Sequence, residues 1–242
     1  MNILNHNLEI LEDKAALIER SRDEIVSQIQ QAIAARGQFT IALSGGSTPK
    51  PLYAALATQD LPWSKIHIFW GDERYVPATH TDSNQLMARQ AWLNQIPIPQ
   101  ENIHPMVTTS DDPEVDAAQH EAELREFWQM PSGFPRFDLI LLGMGDDGHT
   151  ASLFPRTPAL TVSDRLITVG NKDGQPRLTF TVPLINHARC VLFVVAGANK
   201  RSALKQIFAP QGNEQQYPSR LIQPQGKLLW LLDYEAGAEL KN

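Results

Sequence analysis

Residues 139–155 read LILLGMGDDGHTASLFP, an apolar run that opens into three glycines, two aspartates and a histidine. Asp146, Asp147 and His149 put two acids and a proton carrier into one turn. Imidazole is the side chain whose unperturbed pKa lies nearest physiological pH. Oriented by a carboxylate, it can take a proton from water. Gly143, Gly145 and Gly148 let the backbone adopt conformations other residues avoid and come close to a ligand. A capping aspartate and a hydrogen-bonded loop histidine are the plainer alternative. The glycines around His149 favour the functional reading. His6, His67, His80, His104, His120 and His187 have no comparable setting, and His67, alternating within an apolar run, reads as structural.

A second group of residues suits an anion. Ser44, Gly45, Gly46, Ser47 and Thr48 follow an apolar run and precede a helix. Glycine N–H groups, hydroxyls and a helix N-terminus together favour a phosphate. The alternative is a tight strand-to-helix turn capped by Ser47 or Thr48, with Pro51 in the first turn. The stretch matches neither the P-loop nor G-x-G-x-x-G, so no nucleotide is implied. Arg74, in GDERY, can hold a phosphate or carboxylate bidentately, or belong to an Arg–carboxylate cluster with Asp72 or Glu73 capping the next segment. Lys200, after GAN, can add a second positive charge or remain solvated.

Two other chemistries are poorly supported. Asp146, Asp147 and His149 have no further ligands at metal-site spacing. Ser152 lacks the G-x-S-x-G setting of an esterase nucleophile.

These loops need a frame. The spacing predicts a helix over 14–35, closed by Gly37, and strands over 39–43, 65–70, 137–142, 189–196 and 227–232. Weaker strand signals lie at 166–169 and 178–182. Helical stretches fall at 51–57, 84–93, 113–128 and 200–208. Short apolar runs alternating with helices imply an α/β fold with a mostly parallel sheet covered on both faces. Ligands of such sheets bind beyond the carboxyl ends of the strands. Four strands run straight into SGGSTP, GDERYVP, GMGDDGHT and GANK, so parallel strands would gather all four loops at one edge. No Pro-rich or polar loop separates two complete strand sets, which predicts a single domain over 1–242.

Composition sets the outer limits. The chain has 242 residues, 42% of them apolar, with a net charge of −6 and no basic run, which argues against nucleic acid as a partner. The one cysteine, Cys190, excludes disulfides and Cys-based metal sites within the chain and fits a reducing compartment. Residues 1–7 are polar with no apolar signal-peptide core, and no apolar run is long enough for a bilayer. A soluble cytoplasmic protein is expected, with no membrane partner.

In order along the chain, LSGGSTP (43–49), GDERYVP (71–77), DSN (82–84), GMGDDGHTASLFP (143–155) and RLTFTVPLINHARCVLFVVAGANK (177–200) resemble the 6-phosphogluconolactonase family, as does the closing strand that ends in Asp233. The resemblance spans nearly the whole chain. It implies a Rossmann-like three-layer α/β/α sandwich, in a superfamily shared with glucosamine-6-phosphate deaminases. It also implies hydrolysis of 6-phospho-D-glucono-1,5-lactone to 6-phosphogluconate, in the oxidative pentose phosphate pathway, with no cofactor and no obligatory metal. On the matching positions His149 would be the general base and Asp147 part of its loop. Ser44, Gly45, Gly46, Ser47, Thr48, Arg74 and Lys200 would hold the phosphate, with Arg177 a further candidate. Arg156 stands where the family often has glycine. The alternatives are a deaminase-like isomerase and a sugar-phosphate-binding protein without turnover. Deaminases of the superfamily follow their DGH motif with a glutamate, where this chain has Phe154, and usually carry Tyr at the position of Arg74.

Overall fold

A computed structural model describes residues 7–240. His6 and most of the polar N-terminal stretch lie outside them. The chain runs β1 (Asn7–Leu11), α1 (Lys14–Arg36), β2 (Phe39–Leu43), α2 (Pro49–Ala57), β3 (Ile66–Trp70) and β4 (Asp72–Arg74). It continues through α3 (Asn84–Ala91), α4 (Pro113–Phe127), β5 (Leu139–Leu142), β6 (Ile167–Lys172) and β7 (Gln175–Phe180). Then follow α5 (Val182–Asn186), β8 (Cys190–Val195), α6 (Arg201–Phe208), β9 (Lys227–Asp233) and α7 (Tyr234–Gly237).

Six strands form a sheet in the order β1-β9-β8-β5-β2-β3, and each neighbouring pair is parallel. Its central strands are mostly apolar because both faces are covered. Side-chain alternation divides them between two cores. Ile41, Leu139, Leu141, Leu192 and Leu231 pack with Leu17, Ile25 and Ile29 of α1, Leu52 of α2 and Ala88 of α3. Ala42, Ile140, Val191, Phe193 and Trp230 pack on the opposite face with Leu124 of α4 and Leu204 of α6. Phe193 and Trp230, paired in register, stack with ring centroids 3.7 Å apart. The outcome is the expected three-layer α/β arrangement.

Two expectations are revised. The weak strand signals near 166–182 do not extend the parallel sheet. β6 and β7 form an antiparallel hairpin that joins β4 in a separate three-stranded sheet. Val182 starts α5 instead of ending a strand. Likewise GDERY is not simply a loop, since Asp72–Arg74 is β4 itself. The chain changes sheets at Gly71, whose N–H donates to the Leu43 carbonyl at 2.9 Å while its carbonyl accepts from Phe180 N–H at 2.8 Å. No helix among the described residues is long and apolar enough to cross a membrane.

His67 is structural, as expected. It packs with His104 and Phe127 beneath α4, and its Nδ1 lies 3.2 Å from His104 Nε2. His104 also stacks on Phe69 at 4.4 Å. Burial, then repulsion from His67 and His120, depress the His104 pKa to about 4, against a smaller opposing pull from Glu123. The fold therefore binds the neutral ring, whereas the unfolded chain protonates it near pH 6.5. This contribution to stability is whole above that pH, is lost as pH falls toward about 4, and is flat below. His104→Phe keeps the stacking and removes the titration. Its unfolding free energy, measured by denaturant titration from pH 7 to pH 4.5, should fall less steeply than the wild type's. An unchanged slope would contradict the assignment.

Candidate active site

The loops that follow β2, β5 and β8, together with β4 just beyond β3, line one cleft of about 390 Å³ at the carboxyl edge of the main sheet. Parallel strand direction alone puts them there. Ser44, Gly45, Gly46, Ser47, Thr48, Arg74, His149, Arg177 and Lys200 all line it. Asp147 stands just behind.

Asp147 and His149 are joined twice. Asp147 Oδ1 lies 2.6 Å from His149 Nδ1 and accepts from the His149 backbone N–H at 3.0 Å. Burial alone would raise the Asp147 pKa, but these two hydrogen bonds and the charge of His149 outweigh it and bring it down to about 2. An ionised carboxylate can only accept, so Nδ1 must carry the hydrogen. The neutral ring then presents Nε2 as its free basic atom. Gly145 has to be glycine, because a Cβ there would sit 2.1 Å from His149 Nδ1. Gly148 takes φ 82° with Tyr217 against it. Ala151 also holds a left-handed backbone, φ 47°, and such strain in a non-glycine residue collects at functional sites. Arg156 does the same at φ 59°. The arginine thus keeps the glycine-type turn that its position demands.

The SGGST loop is left open for a ligand. Tyr53 Oη pins its start, accepting from Ser44 N–H at 3.1 Å and donating to the Ser44 carbonyl at 2.7 Å. The capping alternative holds in position, with Thr48 at the N-cap and Pro51 in the first turn, but not in hydrogen bonding. Thr48 sits at the N-cap of α2 in helical conformation and makes no side-chain cap, and Pro49 begins the helix. Thr48 and Pro49, where α2 begins, line the cleft.

Arg74 is not part of an ion-pair cluster. Its guanidinium donates to the Asp82 carbonyl, and its Nε is buried without a partner. Glu73 caps the next segment, as that alternative expected, accepting from the N–H groups of Asn84 at 2.7 Å and Gln85 at 2.8 Å at the start of α3. Burial raises the Glu73 pKa in spite of those donors. Antiparallel pairing sets Arg177 directly opposite Arg74. Burial first, then its neighbour's charge, lower the Arg177 pKa. Lys200 closes the far side, on a short turn fixed where Gly197 N–H donates to both oxygens of Asp233, at 3.0 and 3.1 Å.

Three cleft residues escaped the sequence reading. Asp72 is buried and accepts from Ser152 Oγ at 2.7 Å. Asn84 donates to the Asp72 carbonyl at 2.9 Å, while its Oδ1 is buried and unpartnered beside Gly45, where a Cβ would come within 1.8 Å. The DSN triplet was its only trace in the sequence. Lys172 arrives from the second sheet. Among the described residues no group of three or more His, Cys, Asp or Glu side chains could hold a metal ion.

Fold and cleft define a class: an open α/β protein whose strand edge sets an anion-receiving loop and cations opposite a carboxylate-held imidazole. The chain belongs to the glucosamine-6-phosphate isomerase/6-phosphogluconolactonase family, whose model matches residues 12–230. A 6-phosphogluconolactonase of Synechocystis sp. is 66% identical, covering 97% of this chain and 98% of that protein. One from Nostoc sp. is 62% identical, covering 98% and 99%. The solved structure of 6-phosphogluconolactonase from Trypanosoma cruzi superposes with a TM-score of 0.88 at 30% identity, covering 98% of this chain and 97% of that one. A monomeric glucosamine-6-phosphate deaminase shares the fold at 17% identity, TM-score 0.81.

Proposed function

We propose that the protein is a 6-phosphogluconolactonase, hydrolysing 6-phospho-D-glucono-1,5-lactone to 6-phosphogluconate in the oxidative branch of the pentose phosphate pathway, with the whole chain acting as one domain. The observation that carries this reading is the 2.6 Å Asp147–His149 pair in the same cleft as the SGGST loop, Arg74 and Lys200. In this reading His149 Nε2 takes a proton from water as that water attacks the lactone carbonyl. The phosphate, remote from the reacting carbon, is anchored by residues 44–48, Arg74 and Lys200, and holds that carbon beside the base. The cations concentrated in one cleft of an acidic protein attract an anionic substrate, and with no basic surface run no nucleic-acid partner is proposed. The single cysteine, buried and unpaired, supports placing the enzyme in the cytoplasm.

Phe154 favours the lactonase over the deaminase. It packs on His149 with centroids 4.6 Å apart and cannot transfer a proton for sugar-ring opening. Purified protein should release no ammonia from glucosamine 6-phosphate, and should turn over unphosphorylated gluconolactone poorly. Ammonia release at a rate matching lactone hydrolysis would reverse the order of the two readings.

Arg74→Ala tests the anchor. It should weaken 6-phosphogluconate binding by about 1.5–3 kcal/mol, the range for hydrogen bonds to a charged group, and weaken inorganic phosphate as an inhibitor in parallel. Unchanged affinity for both would remove Arg74 from the phosphate site.

A further inference from the structure

Lys172 lines the cleft, yet the mechanism above leaves it unused. It ends β6, a strand that meets the catalytic loop at Gly170, where a Cβ would lie 2.2 Å from the Ser152 carbonyl oxygen. Strand periodicity puts Gly170 and Lys172 on the same face. Lys172 Nζ lies 5.9 Å from the centroid of the Phe154 ring, and Arg177 Cζ lies 5.5 Å from it. His149 packs on that same ring. One buried phenyl group therefore gathers the base and two cations, with the aromatic face serving cations as it commonly does. Neither Lys172 nor Arg177 has a carboxylate within 4.0 Å among the described residues, and Arg177 Nε is buried without a hydrogen-bond partner.

We propose that Lys172, with Arg177, forms a second anion locus at the His149 end of the cleft. It receives the oxyanion as that charge forms on the lactone carbonyl, then the carboxylate of the opened product. The proposal rests on the lactonase reading and moves Arg177 from the phosphate to the reacting end. Water adds its oxygen to C1 while His149 Nε2 takes one of its protons, and the carbonyl oxygen becomes negative. The C1–ring-oxygen bond then breaks, the ring oxygen takes the proton from His149, and the new carboxylic acid loses its remaining proton to solvent. Negative charge thus appears at C1 in the transition state and stays there in the product, where fixed positive groups stabilise it. The product has two anionic ends, and the cleft has a cationic group for each.

Calorimetric binding to folded wild type, Lys172→Gln and Lys172→Arg separates the two ends. The probes are 6-phosphogluconate, which carries both anions, and inorganic phosphate, which carries one. Lys172→Gln should raise the Kd of 6-phosphogluconate roughly 3- to 10-fold, the effect of one ordinary hydrogen bond at a solvent-exposed position, and leave that of phosphate unchanged. Lys172→Arg should restore most of the loss, and kcat should follow the same order. Lys172 is exposed on a hairpin, so the variants should melt with the wild type. Equal weakening of both probes would assign Lys172 to the phosphate, and no weakening of either would leave it a solvated lysine. Either result overturns the proposal. Wild-type protein that binds 6-phosphogluconate but hydrolyses no lactone would count against the proposed function and not against this locus.

Discussion

His149→Ala is expected to lower kcat for lactone hydrolysis by about 10²–10⁴, the usual contribution of a positioned general base, and to change substrate affinity little. The imidazole is positioned on three sides. Asp147 fixes Nδ1 at 2.6 Å, Phe154 packs on the ring face, and Gly145 leaves room for the ring where any Cβ would collide. Truncation removes Nε2 and leaves the SGGST loop, Arg74 and Lys200 in place, so 6-phosphogluconate should still bind. The loss should therefore fall on kcat and not on KM, and the acid limb of the pH–rate profile should disappear with the base. Kinetics on a variant whose circular dichroism matches the wild type checks this. A kcat near the wild-type value would remove His149 from the mechanism.

Asp147→Asn should lower kcat by about 10–10², the difference between a charged and a neutral partner for the ring, although it alters only one heavy atom. Asp147 Oδ1 accepts both from the His149 backbone N–H at 3.0 Å and from Nδ1 at 2.6 Å. With the asparagine carbonyl in that place both hydrogen bonds, and with them the loop and the ring tautomer, should persist. What is lost is the negative charge that steadies the ring once it has taken the proton. Comparing kcat with 6-phosphogluconate affinity in this variant separates the two roles of the residue. Unchanged kcat would mean that Asp147 holds the loop and nothing more.

Much of this was legible in the sequence, for definite reasons. β2, β3, β5, β8 and β9 are mostly apolar runs, interrupted inside only by Thr40 and His67, the pattern that burial on both faces favours. Once they are taken as parallel, the loops that follow them must share an edge, so Ser44, Arg74, His149 and Lys200 could be grouped before any coordinates. β1 was missed because NLEIL is short and half polar, and it is defined by pairing along the edge of β9. The second sheet carried a signal that went unread. Asp173 and Gly174 take φ of 53° and 84° at the tip of the β6–β7 hairpin, and Asp-Gly between two alternating runs marks such a turn. Asn84 and Lys172 were not legible from spacing. They reach the cleft from a helix start and from the antiparallel sheet, so their approach is set by tertiary packing and not by the strand edge.

One measurement bears on the central claim more directly than any variant. Glucose-6-phosphate dehydrogenase with NADP+ generates the lactone in situ from glucose 6-phosphate, and after the oxidation is complete the disappearance of the lactone is followed with and without the purified protein, in the presence of a chelator. A catalytic quantity of the protein is predicted to speed lactone loss far above the spontaneous rate and to yield 6-phosphogluconate one for one. Equal rates with and without a folded protein would contradict the account.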